Sequence, residues 1–173
     1  SQKTDKLKFS SGDIALGEDK ALSKSAYEFE NDAGIMDSAL GNHECDIDFK
    51  TLGDLLGKNK FNMLALNVEL APNSPLNGHI KKSEIRTVNG DKYGVIGLAP
   101  FDMFKRTKDR SKQDEMKIKD LATTKKELQA EVNNLKQQGV NKIVLLSHIG
   151  YVNDIDLANS VEGIDVILGG HSH

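Results

Sequence analysis

The chain has 173 residues, 38% of them hydrophobic and 28% charged, with 23 basic against 26 acidic side chains for a formal net charge of −3. That balance belongs to a folded protein and not to a disordered one. The mixed charge leaves no basic stripe for a nucleic-acid backbone, and apolar runs such as "KIVLLS" are far too short to span a bilayer.

The length is that of one domain with a real core. Short apolar runs alternate with amphipathic stretches, the pattern of an α/β fold. "KLKFS" reads as a strand ending in the turn "SGD". From Ala21 to Ala33 the residues Leu22, Ala26, Phe29 and Ala33 recur at helical spacing, which predicts a helix with that face buried. "DSAL" predicts a short strand leading into "GNHECD", and Phe49, Leu52, Leu55 and Leu56 line one face of a second helix closed by Gly57. "NMLALNV" reads as one strand. Between Ile80 and Leu98 two extended segments flank "VNGDKYG", whose Asn89 and Gly90 suit a tight hairpin, an antiparallel pair within a mostly parallel sheet. The basic stretch "KRTKDRSK", Lys105 to Lys112, reads as a solvated loop. Leu121, Leu128, Val132 and Leu135 form the stripe of a long helix ending near Gly139. "NKIVLLS", a short helix through Leu157 and Ala158, and "DVIL", read as a buried strand, complete the order.

The single cysteine, Cys45, excludes an internal disulfide framework and a multi-cysteine zinc site, so a metal has to be held by His, Asp, Glu or Asn. Such residues collect at the carboxyl ends of predicted strands: Asp13 after the first, Asn42 and His43 after the second, His148 after "KIVLL", and His171 and His173 after "DVIL". Strand tips of this kind form the ligand-binding crevice of open α/β sheets. A lone histidine after a strand is ordinarily a hydrogen-bonded packing residue, and Asn before His suits a turn. Recurrence at one end of several strands has no packing reason and points to a metal site. His171 and His173, two apart on an extended segment, project to the same side, and Gly169 and Gly170 let the backbone approach closely. Imidazole, carboxylate and amide oxygen together suit zinc, manganese or iron. Two such ions can drive in-line attack of water on a phosphoryl group, so phosphoester hydrolysis is a natural use.

"SGDIALG", "LGNHECD", "LLSHIG" and "GIDVILGGHSH" follow the order and approximate spacing seen in the calcineurin-like metallophosphoesterases, which the chain resembles from about Leu7 to His173. "VNGDKYGVIGLAPFD" and "SVEGIDVILGGHSH" resemble the branch of 5'-nucleotidases and 2',3'-cyclic nucleotide phosphodiesterases. The resemblance implies an α/β metallophosphatase-type sandwich of mixed sheets flanked by helices over residues 1–173, and a hydrolase of small-molecule nucleotide phosphoesters that uses two divalent metal ions. By the same resemblance Asp13 bridges the two ions; Asn42, His148 and His171 complete the second; His173 binds the first. His43 acts on the substrate, and Asp46 orients it. Glu44 belongs to the motif without an assigned role, and Cys45, where an aromatic is common, reads as an inert small hydrophobe.

The family normally begins with a strand ending in Asp-x-His that supplies two ligands to the first ion. No Asp-x-His occurs in these residues. The expectation is therefore a domain lacking that strand and incomplete at both ends, with one ion held tightly and the other weakly or not at all. A catalytically impaired metal-binding fragment or interaction module that keeps the fold is the alternative. A periplasmic or extracellular setting follows from family analogy alone, and no leader segment in the sequence adds to it.

Overall fold

Strand β9 (Lys142–Ser147) shows why these residues build layers. Ile143 and Leu145 face one way and Val144 and Leu146 the other, as the two-residue strand period requires, and all four are buried. A strand apolar on both faces needs cover on both. In the computed structural model, which describes residues 8–12, 20–58, 60–105 and 112–171, that cover is a second sheet on one side and helices on the other.

The first sheet holds β1 (Phe9–Ser10), β2 (Asp37–Ala39), β3 (Asn62–Leu64) and β5 (Ile80–Lys81), all parallel, in the order β1-β2-β3-β5. The second holds β6 (Ser83–Val88), β7 (Asp91–Leu98), β9 and β10 (Val166–Gly169) in the order β10-β9-β7-β6; only the β6/β7 pair is antiparallel. Its hairpin turns through Asn89 and Gly90 at φ 52 and 84, the two positive values a tight two-residue turn requires. A separate ribbon pairs β4 (Val68–Leu70) with β8 (Met116–Ile118).

Ala39, Leu64, Val95, Val144 and Leu146 pack between the sheets. Helices α1 (Lys20–Asp32) and α2 (Phe49–Lys58) cover the first sheet through Tyr27, Phe49, Leu52 and Leu56. Helices α4 (Leu121–Gln137) and α5 (Tyr151–Ser160) cover the second through Leu128, Val132, Leu135 and Leu157. A short α3 (Lys112–Glu115) precedes β8. The result is the expected α/β sandwich of two sheets between helices.

Four expectations need correction. Among the described side chains of α1 the buried ones are Ser23 and Tyr27; Ala26 packs partly buried against the core as expected, whereas Phe29 is 69% exposed. Tyr27 stacks on Phe61 with ring centroids 5.8 Å apart, and two residues further on a helix turns to the opposite side. The side chain of Leu22 lies outside the described residues. "NMLALNV" is two strands in two different sheets, because Asn67 bonds both backbone groups of Ala99 at 2.8 Å and turns the chain. "DVIL" forms an edge strand among the described residues, with β9 as its neighbour, and Val166 and Leu168 are 47% and 40% exposed. Lys112, expected in a solvated loop, is buried at the start of α3.

The sheets are also tied by charge. Arg86 on β6 donates Nε to Asp37 Oδ2 at 3.0 Å and Nη2 to Asp37 Oδ1 at 2.8 Å and to the Met36 carbonyl at 3.1 Å. Asp37 is fully buried, and its other side-chain donor is the neutral Asn62 amide at 3.3 Å. Arg86→Met therefore leaves a buried carboxylate with one weak partner. The expected cost is about 3 kcal/mol, at the low end for breaking a buried pair because part of the arginine already reaches solvent. Urea unfolding should show a lower midpoint with an unchanged slope.

Candidate functional site

The parallel strands of both sheets deliver four loops to one place. β2 runs through Leu40 and Gly41 into a 3-10 turn, Asn42–Asp46; β9 ends at Ser147, before His148; β10 ends at Gly169, before Gly170 and His171; β1 ends at Ser10, before Ser11 and Gly12. These loops close tightly. A Cβ on Gly12 would stand 2.7 Å from His148 Nδ1, and one on Gly170 would stand 2.9 Å from Ser11 Oγ and 3.0 Å from His148 Nδ1. Glycine at both positions is what lets the loops meet around His148.

Asn42 Oδ1 lies 3.3 Å from His148 Nε2 and 3.0 Å from His171 Nδ1. The two imidazole centroids are 5.0 Å apart and tilted by 54°. His148 is buried, and its Nδ1 lies 2.6 Å from the Ser11 carbonyl, which can only accept. The proton therefore sits on Nδ1, and Nε2 turns its lone pair toward Asn42. His171 Nε2 faces the Asp102 carboxylate at 3.1 and 3.3 Å; with the ring proton on that side, the lone pair is on Nδ1, toward Asn42. In those two tautomers, three acceptor atoms converge. Two ligands each about 2.1 Å from one ion stand about 3.0–3.4 Å apart for coordination angles between octahedral and tetrahedral. The donor set and its spacing fit a divalent ion.

Asp13 and His173 lie outside the described residues. Among the described residues no group of three His, Cys, Asp or Glu side chains converges; the cluster here completes itself with an amide. His171 has φ 76, so it is not extended, and the expected same-side projection of His171 and His173 loses its premise at the first of the pair.

His43 and Asp46 are three apart on the 3-10 turn, where three residues complete one revolution and side chains i and i+3 align. His43 Nδ1 lies 2.7 Å from Asp46 Oδ2, and both side chains are partly exposed. The carboxylate holds the proton on Nδ1 and offsets positive charge on the ring. Beneath the turn, the Lys112 ammonium donates to the carbonyls of Cys45 and Ile47, the latter at 3.0 Å, on either side of Asp46, and lies 5.7 Å from the Phe49 ring centre.

Sequence reasoning missed Lys112, Asp102 and Asp154. Backbone carbonyls 65 and 67 residues away leave no mark near Lys112 in the chain. Asp102 closes "LAPFD", a segment singled out for its resemblance without a role for its acid. Asp154, buried at the first turn of α5, accepts from Ser147 Oγ; burial raises its pKa, partly offset by that bond and by His148. A pocket of about 560 Å3 opens beside Asp102, lined also by Phe101, Phe104, Lys105 and Lys117.

The family model for calcineurin-like phosphoesterases matches residues 16–173. The chain is 39% identical over 148 residues to an NAD 5'-nucleotidase of Haemophilus influenzae, covering 82% of this chain and 24% of that protein. It is 37% identical over 150 residues to a probable 5'-nucleotidase of Treponema pallidum, covering 83% and 23%. The crystal structure of a 5'-nucleotidase precursor from Thermus thermophilus superposes with a TM-score of 0.85 at 29% identity, covering 98% of this chain and 33% of that one. The chain thus spans about a quarter of the length of the two sequence relatives.

Proposed function

The chain belongs to the calcineurin-like phosphoesterase family, and from that premise we propose that it is the catalytic part of a metal-dependent hydrolase of nucleotide phosphoesters, of the 5'-nucleotidase or 2',3'-cyclic phosphodiesterase type. The observation that carries this reading is the convergence of Asn42 Oδ1, His148 Nε2 and His171 Nδ1, with Asn42 on the same turn as the His43–Asp46 pair. The names of the two sequence relatives, both nucleotidases, favour hydrolysis over a bare metal-binding module.

Asn42, His148 and His171, together with Asp13, would hold one divalent ion, and Asp13 and His173 would contribute to a second. A bound ion supplies Lewis acidity, drawing charge from the phosphoryl group and acidifying the attacking water. The chain's residues do the rest. The Ser11 carbonyl fixes the His148 ring so that Nε2 points inward. His43, its Nδ1 proton held by Asp46, presents Nε2 to the phosphoryl oxygens and, when doubly protonated, passes that proton to the leaving oxygen. Asp46 offsets the charge on the ring while it is protonated. The pocket beside Asp102 gives the leaving group room.

The test is phosphate release from AMP and nitrophenol release from a nitrophenyl phosphodiester, with added manganese, for the wild type and His148→Ala, alongside elemental analysis. Hydrolysis that stops with a chelator, one tightly held ion in the wild type and none in the variant are expected. Hydrolysis indifferent to the chelator and equal in the variant sinks the reading.

A further inference from the structure

We propose that Asp102 is a positioning residue: its carboxylate holds the Nε2 proton of His171 and so aims the Nδ1 lone pair at the ion shared with Asn42 and His148. The inference rests on the ligand reading above and assigns a role to a residue outside the motif.

The two histidines need opposite ring nitrogens. His148 turns Nε2 inward and His171 turns Nδ1 inward, so each requires its own acceptor on the far side of the ring. For His148 that acceptor is the Ser11 carbonyl, part of a loop the glycines hold close. Among the described residues His171 has no such wall. It follows two glycines, sits at φ 76 where neither strand neighbours nor helix turns restrain it, and keeps a quarter of its side chain in solvent. The described contacts that orient its ring are the tilted face of His148 and the two Asp102 oxygens at 3.1 and 3.3 Å.

Asp102 reaches it from the opposite sheet position. β7 ends at Leu98, in register with Ser147 at the end of β9, so the loop after β7 emerges at the same end of the sheet as His148. The carboxylate lies against the far nitrogen of His171 from Asn42, which makes it a partner of the ring and not a ligand of the ion. Being anionic, it also stabilises the charge His171 acquires when it donates to a cation. A partner of this kind is generally worth 10–100-fold in metal affinity.

The experiment uses the whole chain. Manganese affinity is measured by calorimetry for wild type, Asp102→Ala and Asp102→Glu, with the melting temperature of each metal-free protein and the imidazole nitrogen spectrum of the wild type. Expected are an affinity about 10–100-fold weaker in Asp102→Ala at an unchanged metal-free melting temperature, recovery to near wild type in Asp102→Glu, and a proton on Nε2 of His171. Manganese affinity unchanged in Asp102→Ala, or a wild-type spectrum with the His171 proton on Nδ1, overturns the proposal even if the variants fold poorly. If the wild type binds no manganese, or His148→Ala binds it as well, the ligand reading itself falls, a different result from the loss of Asp102's role alone.

Discussion

Gly97→Val is expected to leave the chain unable to form its two-sheet sandwich. Gly97 lies on β7, in the middle of the second sheet, where that sheet crosses β3 of the first. A Cβ there would stand 2.2 Å from the Leu64 carbonyl oxygen and 2.5 Å from both the carbonyl carbon and Cβ of the same residue. Backbone atoms within a strand cannot rotate aside as a side chain can. Relief requires the sheets to part, which would break the bond from the Leu66 amide to the Gly97 carbonyl at 2.8 Å and open the layer of Ala39, Leu64, Val95 and Val144. Ordinary overpacking costs about 1–3 kcal/mol because side chains give way. This clash exceeds that range and reaches the 4–5 kcal/mol scale at which a domain of typical stability, about 5–15 kcal/mol, loses its native state.

Gly94→Ala, three residues earlier on the same strand, is the control. Its added Cβ would meet the ends of Leu135, Ile143 and Val140 side chains at 2.9 to 3.1 Å, contacts that repacking can relieve. About 1–3 kcal/mol is expected there. Circular dichroism melts of both proteins make the comparison. A Gly97→Val protein melting within a few degrees of the wild type would show that the sheets can separate freely at this crossing.

What the sequence disclosed and what it hid divide along a physical line. The alternation in "KIVLLS" and the Asn89–Gly90 turn are local properties of adjacent residues, and both elements formed as their local chemistry dictates. The stripe from Leu128 to Leu135 is local too, since a helix face is fixed by 3.6-residue spacing. Misreadings arise where a distant group decides. Asn67 breaks an apolar run because Ala99, 32 residues on, offers both backbone partners. On α1 the stack on the Phe61 ring draws Tyr27 inward and leaves Phe29, two residues on, exposed. "DVIL" has the composition of a central strand, and its place at a sheet edge is a matter of topology.

The site follows the same rule. Asn42, His43, Asp46, His148 and His171 were visible as chemically capable residues at strand ends, and the structure brings Asn42, His148 and His171 together, and His43 with Asp46. Their supports were not visible. Ser11 acts through its backbone carbonyl, for which residue type is silent, and Lys112 and Asp102 act across 65 or more residues.

On the function proposed above, His43→Ala should lower the turnover number for a nucleotide phosphoester by about 10²–10⁴-fold, the range for loss of a positioned acid, while leaving metal affinity unchanged. The separation is possible because His43 is absent from the converging acceptors: its nitrogen bonds Asp46, and the 3-10 turn that carries both is fixed from below by Lys112. Asp46→Asn keeps the ring but replaces its anionic partner with an amide that can present an N–H to Nδ1, moving the ring proton to the wrong nitrogen. Its turnover should fall by a similar order. Because the two residues act as one unit, the double variant should be scarcely worse than His43→Ala. Lys112→Met offers a different signature: the turn loosens, so stability and turnover fall together, whereas Asp46→Asn, on a partly exposed surface, should leave the melting temperature nearly unchanged. Turnover, ion content by elemental analysis and melting temperature, measured on all four proteins, discriminate these effects. Wild-type turnover in His43→Ala would remove this histidine from the chemistry, and additive losses in the double variant would show that His43 and Asp46 act separately.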